Sequence, residues 1–255
     1  MIFNSPTNSK LLAFTTKTAN YSLTINDDVI AADPVSVASF TLSLPAATGS
    51  GKVFEIFFSA LTYNGNTVTV ARNGSDTITE LSSGLTSVLL HTPGERIVIQ
   101  DVAAATWKVK VRDIPAFSMS VTPTGAWSTN TTYSGRITRL RNWIRYSASI
   151  ALAGAPTSAT LTVNVPLSLV IDTSELAAGT LAQILPSGEG LASDTGTSTT
   201  QLHVKYTSTT AVLLVYDNSN SPTVHASVTQ AAPYTFGNTD FINFSVDLPI
   251  VGWNK

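Results

Sequence analysis

The stretch Ile114-Pro-Ala-Phe-Ser-Met-Ser-Val-Thr-Pro-Thr-Gly-Ala-Trp127 separates two blocks of short β-type runs. The proline near each end removes a backbone donor, and Gly125 can adopt a positive φ that most residues avoid. Because no helix or continuous strand is expected to cross this stretch, we interpret it as a hinge. It predicts two β domains, residues 1–116 and 117–255, each long enough to enclose its own core.

Strand-like runs on both sides of the hinge recur about every 8–12 residues, with turn signals between them. This spacing is typical of a sandwich or barrel, and the absence of a repeat of fixed period argues against a β-helix or a propeller. Asp172-Thr-Ser-Glu175 fits a helix-capping pattern and predicts the one helical turn. The sequence therefore predicts an all-β protein with two β-sandwich or jelly-roll-like domains and almost no helix.

Two hairpins are expected from turn residues that separate strand-like runs. The first joins Val53–Phe58 to a return strand at 66–70 through the dipeptide Asn64-Gly65. The second joins Tyr133–Arg139 to Trp143–Leu152.

The composition favours surface that is buried between chains. Charged residues are 12% of the chain, about half the usual fraction, while hydrophobic residues are 43% and mean hydropathy is +0.20. The net charge of −2 argues against a nucleic-acid partner. The apolar runs are too short to span a bilayer, and the first ten residues lack the pattern of a secretory signal, so no membrane insertion is expected.

No residue pattern indicates catalysis, a metal or a cofactor. The chain has no cysteine, and His91, His203 and His225 lack the short spacings typical of metal ligands. His203 is expected to be a surface residue of a strand. There is also no Gly-x-Ser-x-Gly nucleophile elbow and no Gly-rich phosphate loop. We therefore expect no enzymatic activity and no cofactor.

Four carboxylates could in principle supply an acidic pair for glycoside cleavage. Asp172 and Glu175 are better explained as parts of the helix cap. Glu189 and Asp194 lie in Ser187–Thr200, a stretch rich in Gly, Ser and Thr that we interpret as a polar loop.

Four arginines form the one local cluster of charge. Strand alternation is expected to put Arg139, Arg141 and Arg145 on one side of the second hairpin, with Arg136 nearby. They could bind a phosphorylated or acidic glycan, or they could form a solvated face or ion pairs between subunits. We favour the second interpretation and expect such exposed charges to contribute little to stability.

Four tryptophans, Trp107, Trp127, Trp143 and Trp253, could stack on sugars. Large aromatic side chains more often anchor a core or an interface. We expect that role for them here.

Two groups of motifs resemble known phage proteins. The first group looks like a module common in bacteriophage fibre and decoration proteins. It consists of Phe40-Thr-Leu-Ser-Leu-Pro-Ala-Ala-Thr-Gly-Ser-Gly-Lys-Val-Phe54, Gly65-Asn-Thr-Val-Thr-Val70 and Trp107-Lys-Val109. The second is similar to the C-terminal jelly-roll-like domain of many phage fibres. It consists of Gly125-Ala-Trp127, Asn130-Thr-Thr-Tyr-Ser-Gly135, Gly154-Ala-Pro-Thr-Ser-Ala-Thr-Leu161 and Leu248-Pro-Ile-Val-Gly-Trp253.

This resemblance implies a homotrimeric, non-enzymatic protein on the virion surface, made in the host cytoplasm. Because no coiled-coil shaft is recognisable, it implies a compact capsid decoration or cement protein, or a short head fibre, that contacts the major capsid protein. The alternative is a receptor-binding tail-fibre or baseplate protein that binds host surface glycan.

We also expect the two domains to divide attachment and display. The N-terminal domain would dock on the virion, with Ile2 and Phe3 of an arm without a pattern of its own becoming buried there. The C-terminal domain, with Ser187–Thr200 and the arginines, would face outward. Docking through the lateral face of either domain is the other interpretation.

Overall fold

Strands dominate the structure, a computed structural model that describes residues 12–34, 38–61, 63, 65–80, 83–176, 184–217 and 225–253. The helices in these ranges are single 3₁₀ turns, Pro166–Ser168 and Thr173–Glu175, and neither is long enough to cross a membrane. The Asp172 carboxylate accepts a hydrogen bond from the Ser174 N–H, so the predicted capped turn is present. The predicted all-β class is confirmed.

The chain separates into two compact units, Met1–Pro115 and Ala116–Lys255. We call them the N-terminal unit and the C-terminal unit.

The described part of the N-terminal unit contains eleven strands. They are β1 (Phe14–Lys17), β2 (Tyr21–Ser22), β3 (Val29–Ala32), β4 (Phe40–Ser43), β5 (Val53–Phe58), β6 (Val68–Ala71), β7 (Thr77–Glu80), β8 (Ser83–Leu85), β9 (Ser87–Leu90), β10 (Arg96–Ala103) and β11 (Thr106–Asp113). One sheet has the order β1-β3-β5-β10-β11-β7-β8, and the other has the order β2-β4-β6-β9.

The first six strands alternate between these two sheets. As a result β1, β3 and β5 pair in parallel in one sheet, while β2, β4 and β6 pair in parallel in the other. This arrangement resembles a short β-helix. The sequence argued against a β-helix because it has no repeat of fixed period. The intervals between successive strands of one sheet are unequal, so the winding leaves no fixed period in the sequence.

The predicted hairpin between β5 and β6 is wrong for the same reason. Residues of β5 pair with β3 and β10, whereas β6 pairs with β4 and β9 in the other sheet. Splitting the two strands lets both cover one core, in which Phe54 and Ile56 of β5 join Val68 and Val70 of β6. Burial of both apolar stripes therefore outweighs the local turn signal.

The described part of the C-terminal unit contains nine strands. They are β12 (Phe117–Val121), β13 (Thr131–Leu140), β14 (Trp143–Ala153), β15 (Thr162–Asn164), β16 (Ile184–Asp194), β17 (Ser198–Ser208), β18 (Ala211–Asp217), β19 (His225–Ser227) and β20 (Asn238–Pro249). They form a sheet with the order β12-β13-β14-β20-β16-β17-β18-β15, and β19 also pairs with β18. The predicted hairpin of β13 and β14 is present.

The interpretation of Ile114–Trp127 as a hinge without a strand is wrong. Phe117–Val121 forms β12, because the prolines flank these five residues and remove no donor from them. Farther along, the Ala126 N–H donates to the Thr162 carbonyl at 2.9 Å, and the Asn164 N–H donates to the Thr124 carbonyl at 2.8 Å. The stretch therefore pairs with β13 at one end of the sheet and with β15 at the other, and it closes the sheet on itself.

Gly125 makes this closure possible. A Cβ atom at this position would lie 2.5 Å from the Thr162 carbonyl oxygen and 2.6 Å from the Tyr133 hydroxyl. Only glycine lets the two backbones approach so closely. The closed sheet surrounds a core that includes Trp127, Tyr146 and Phe244.

The predicted polar loop at Ser187–Thr200 is also wrong. These residues belong mostly to β16 and β17, which form an antiparallel hairpin, and only 195–197 connect them. Gly190 lies within β16, where β20 is so close that a Cβ would lie 2.5 Å from the Asn243 carbonyl oxygen. A glycine is needed at this position because the two strands pack closely, and not because the chain turns here.

Candidate functional site

The outward side of β12, β13, β14 and β20 is a face of short polar side chains. The side chains that alternate toward the core on these strands are large and apolar, including Ile144 and Phe244. The opposite side carries Arg136, Arg145 and Asp247, but most of its side chains are hydroxyls and amides. They are Ser118, Ser120, Thr132, Ser134, Thr138, Ser147, Ser149, Asn243 and Ser245, which we call the hydroxyl face.

Neighbouring strands exchange hydrogen bonds across the hydroxyl face. The Ser118 and Thr138 hydroxyls are 2.9 Å apart, and the Ser147 and Ser245 hydroxyls are 3.0 Å apart. These cross-strand pairs hold short side chains close to the sheet. A second sheet can approach the hydroxyl and amide side chains at little desolvation cost, provided that Arg136 stays solvated and Arg145 stays paired with Asp247.

The structure does not bring the four predicted arginines to one site. Arg139 pairs with Ile144 in the β13–β14 register and faces the core, where it is only 1% exposed. Its Nε donates to the Arg141 carbonyl at 2.7 Å, and its guanidinium carbon lies 4.4 Å from the centre of the Trp253 ring. The expectation that Arg139, Arg141 and Arg145 share one side is therefore wrong. In the β13–β14 register Arg139 pairs with the inward-facing Ile144, whereas Arg145 pairs with Thr138 on the outward side.

The other arginines remain at the surface. Arg145 binds Asp247 through two hydrogen bonds of 2.9 and 3.0 Å, which raises the pKa of Arg145 and lowers the pKa of Asp247. Arg136 donates from Nε to the Ser118 hydroxyl at 2.7 Å, and Arg141 lies at the hairpin turn with φ of 61°. Arg145 is thus neutralised within its own sheet.

Three of the four tryptophans are buried. Trp107 donates from Nε1 to the Pro45 carbonyl at 3.1 Å and packs against Phe54. Trp127 donates to the Ala159 carbonyl at 2.9 Å, and Trp253 lies under Arg139. These rings anchor the cores, and only Trp143 is partly exposed.

The candidate acidic residues are not paired for catalysis. Glu189 and Asp194 lie on the same strand, an odd number of residues apart, so their side chains point to opposite sides of the sheet. Asp172 accepts from the Ser174 hydroxyl at 2.6 Å as part of its cap.

The motif at 40–54 builds a loop around Asp101. The backbone N–H groups of Thr48, Gly49 and Ser50 and the two hydroxyls of this segment donate to its carboxylate at 2.7–3.1 Å. Burial alone would raise the pKa of Asp101, but the hydrogen bonds from Ser50, Thr48 and Gly49 outweigh it and lower its pKa to about 2. This carboxylate therefore stabilises the loop.

A cluster of two histidines and one aspartate lies on β17, β18 and β19. His225 Nδ1 is 2.8 Å from Asp217 Oδ1, and His203 Nε2 is 3.5 Å from the same oxygen. The sequence did not indicate this cluster, because the three residues meet only through the pairing of three strands. The predicted surface position of His203 fits its partial exposure, whereas His91 is buried in the N-terminal unit.

Comparison with known proteins does not assign the chain to a family. No protein-family model matches it, and no curated protein matches it. The function is therefore inferred from the residues and their geometry.

Proposed function

We propose that this chain is a non-enzymatic structural protein of a bacteriophage virion, acting as a homotrimeric capsid decoration or cement protein or as a short head fibre. The hydroxyl face carries this proposal. The face spans four adjacent strands. Its side chains are short, and cross-strand hydrogen bonds between hydroxyl groups hold them in place. Copies of the chain can bury these hydroxyl and amide side chains against one another at little desolvation cost, and Arg145 on the same side is already paired with Asp247.

The motifs that resemble phage proteins support the same role, because they build the framework. Gly125 allows the sheet to close, Trp127 fills its core, and the segment around Thr48 wraps Asp101. These contacts account for the motifs without any bound substrate.

The contacts favour a structural role over glycan binding. Arg139 is buried, Arg145 is paired with Asp247, and three tryptophan rings are enclosed in the cores. A receptor-binding protein would instead need such groups exposed together.

We further propose that the N-terminal unit attaches to the virion. Leu12, Ile25 and Val53 are exposed and line one pocket of about 430 Å³, whose lining also includes the charged residues Asp28, Lys52 and Glu55. Covering such apolar side chains is worth about 25 cal/mol per Å². The proposed arm residues Ile2 and Phe3 lie outside the described residues. Because Ser187–Thr200 is not a loop, it no longer supports an outward C-terminal unit, and the proposed orientation rests on the exposed apolar side chains of this pocket.

Gold-labelled antibodies on intact phage particles test this function. Antibodies against the C-terminal unit should label the particle surface, whereas antibodies against the Leu12–Ile25–Val53 surface should bind only the free protein. Particles that carry no label and contain no copy of the chain would refute the proposal. Labelling by the second antibody alone would reverse the orientation.

A further inference from the structure

His203, Asp217 and His225 converge at one point of the C-terminal sheet. His225 lies directly opposite Asp217 in the β18–β19 register, and His203 of β17 lies opposite Val215, two residues before Asp217. All three side chains therefore extend on the same side of three neighbouring strands. Residues 14 and 8 positions apart in the sequence thereby form one compact group.

The distances within this group suit a metal ion. One ligand atom from each of the three side chains lies within 4.8 Å of the other two. Zinc binds nitrogen and oxygen at about 2.0–2.2 Å, which corresponds to ligand atoms about 3.3 Å apart in a tetrahedron. The two separations from Asp217 Oδ1, 2.8 and 3.5 Å, are close to that spacing. The centres of the two imidazole rings are 5.5 Å apart.

The donor set and its exposure define the kind of ion. Two imidazoles and one carboxylate prefer zinc and similar transition dications, whereas calcium and magnesium prefer sets of oxygen ligands. The side chains of His203, Asp217 and His225 are 22%, 67% and 39% exposed. An ion can therefore enter from solvent, and water can occupy its remaining coordination positions.

We propose that His203, Asp217 and His225 bind one zinc-like divalent cation per chain. The ion would join β17, β18 and β19, and it would tie together both ends of the segment 218–224, since Asp217 precedes this segment and His225 follows it. The alternative is a metal-free cluster held by the His225–Asp217 hydrogen bond and by the contact of His203 with the same carboxylate oxygen. Calorimetry separates the two, because only a metal site predicts one bound zinc ion per chain and dependence on both histidines.

Calorimetric titration of the full-length protein with zinc chloride, with magnesium chloride as the metal control, tests the site. The wild type should bind one zinc ion per chain and no magnesium. His203→Gln and His225→Gln should each weaken zinc binding at least about tenfold. Asp113→Asn, which removes an exposed strand carboxylate in the N-terminal unit, should bind zinc as the wild type does. Absence of saturable zinc binding, or equal binding by the histidine variants, would overturn the proposal.

A measurement on the unmodified protein covers the case in which a variant fails to fold. Diethyl pyrocarbonate should modify His203 and His225 in the metal-free protein, because their side chains are 22% and 39% exposed, while His91 is buried and should react slowly. Zinc should protect the two exposed histidines, and magnesium should not. Equal modification with and without zinc would contradict the site even if zinc binds elsewhere. Neither zinc binding nor histidine modification depends on the oligomeric state or on a virion. The test of the metal site is therefore independent of the proposed function.

Discussion

At the scale of single residues, Asp101 shows how one buried carboxylate can hold a loop. Its two oxygens accept five hydrogen bonds from Thr48, Gly49 and Ser50. Asp101→Asn replaces one acceptor with a donor that faces other donors. We expect the free energy of unfolding to fall by about 2 kcal/mol at neutral pH, as measured by urea denaturation.

The same carboxylate predicts a pH dependence. Its folded pKa of about 2 lies below the ordinary value of 3.8, so its stabilising effect is complete above about pH 4 and is lost as the pH falls toward 2. The difference in unfolding free energy between the wild type and Asp101→Asn should shrink over that range. A difference that stays constant from pH 6 to about pH 2 would show that the charge of Asp101 is not responsible.

Arg139 and Arg141 provide a matched pair of substitutions. Arg139→Ala removes a buried guanidinium that stacks on Trp253 and donates to the Arg141 carbonyl. We expect a loss of about 2 kcal/mol or more in unfolding free energy. Arg141→Ala keeps that backbone carbonyl and should change stability by less than about 0.5 kcal/mol. Equal melting temperatures for the two variants would argue against the buried position of Arg139.

At the scale of elements, Gly125 tests the closure of the C-terminal sheet. Gly125→Ala puts a methyl group against the Thr162 carbonyl and the Tyr133 hydroxyl. The strands must separate, and we expect a loss of about 1–3 kcal/mol in unfolding free energy. Gly237→Ala is the control, because a Cβ there has no neighbour within 4 Å. If both variants unfold at the wild-type temperature, Gly125 does not limit the closure.

Strand positions were largely predictable, because alternation in stretches such as Phe40–Ser43 directly reflects burial of one face. The pairing partners of the strands were not predictable, because no local sequence feature indicates that β5 and β6 belong to different sheets. Glycine was the main source of error. In Gly190 it signals close strand packing, which local sequence cannot distinguish from a turn.

The candidate sites show the same limit. The sequence predicted a surface position for Arg139 because arginine is charged. Its side chain faces inward because of the register of β13 with β14, which the local sequence does not determine. The metal cluster was missed because Asp217 and His225 meet only after β18 and β19 pair. Spacing rules detect ligands on one helix or hairpin, and here the ligands come from three strands.

At the scale of the whole molecule, the hydroxyl face should form the contact between copies. Ser149→Arg puts a guanidinium between Ser134 and Asn243 on this face, where burial between chains would cost several kcal/mol. We expect this variant to remain folded by circular dichroism but to dissociate into monomers. Thr86→Arg, at an exposed position of the N-terminal unit, is the control and should not alter assembly. Dissociation of both variants, or of neither, would exclude the hydroxyl face as the specific contact.

The mass of the full-length protein in solution shows whether three copies of the chain assemble. It should be measured by light scattering during size-exclusion chromatography at micromolar concentration. We expect a single species of about three times the chain mass of 26.9 kDa, because the chain is proposed to form a homotrimer. A single species at 26.9 kDa would contradict it.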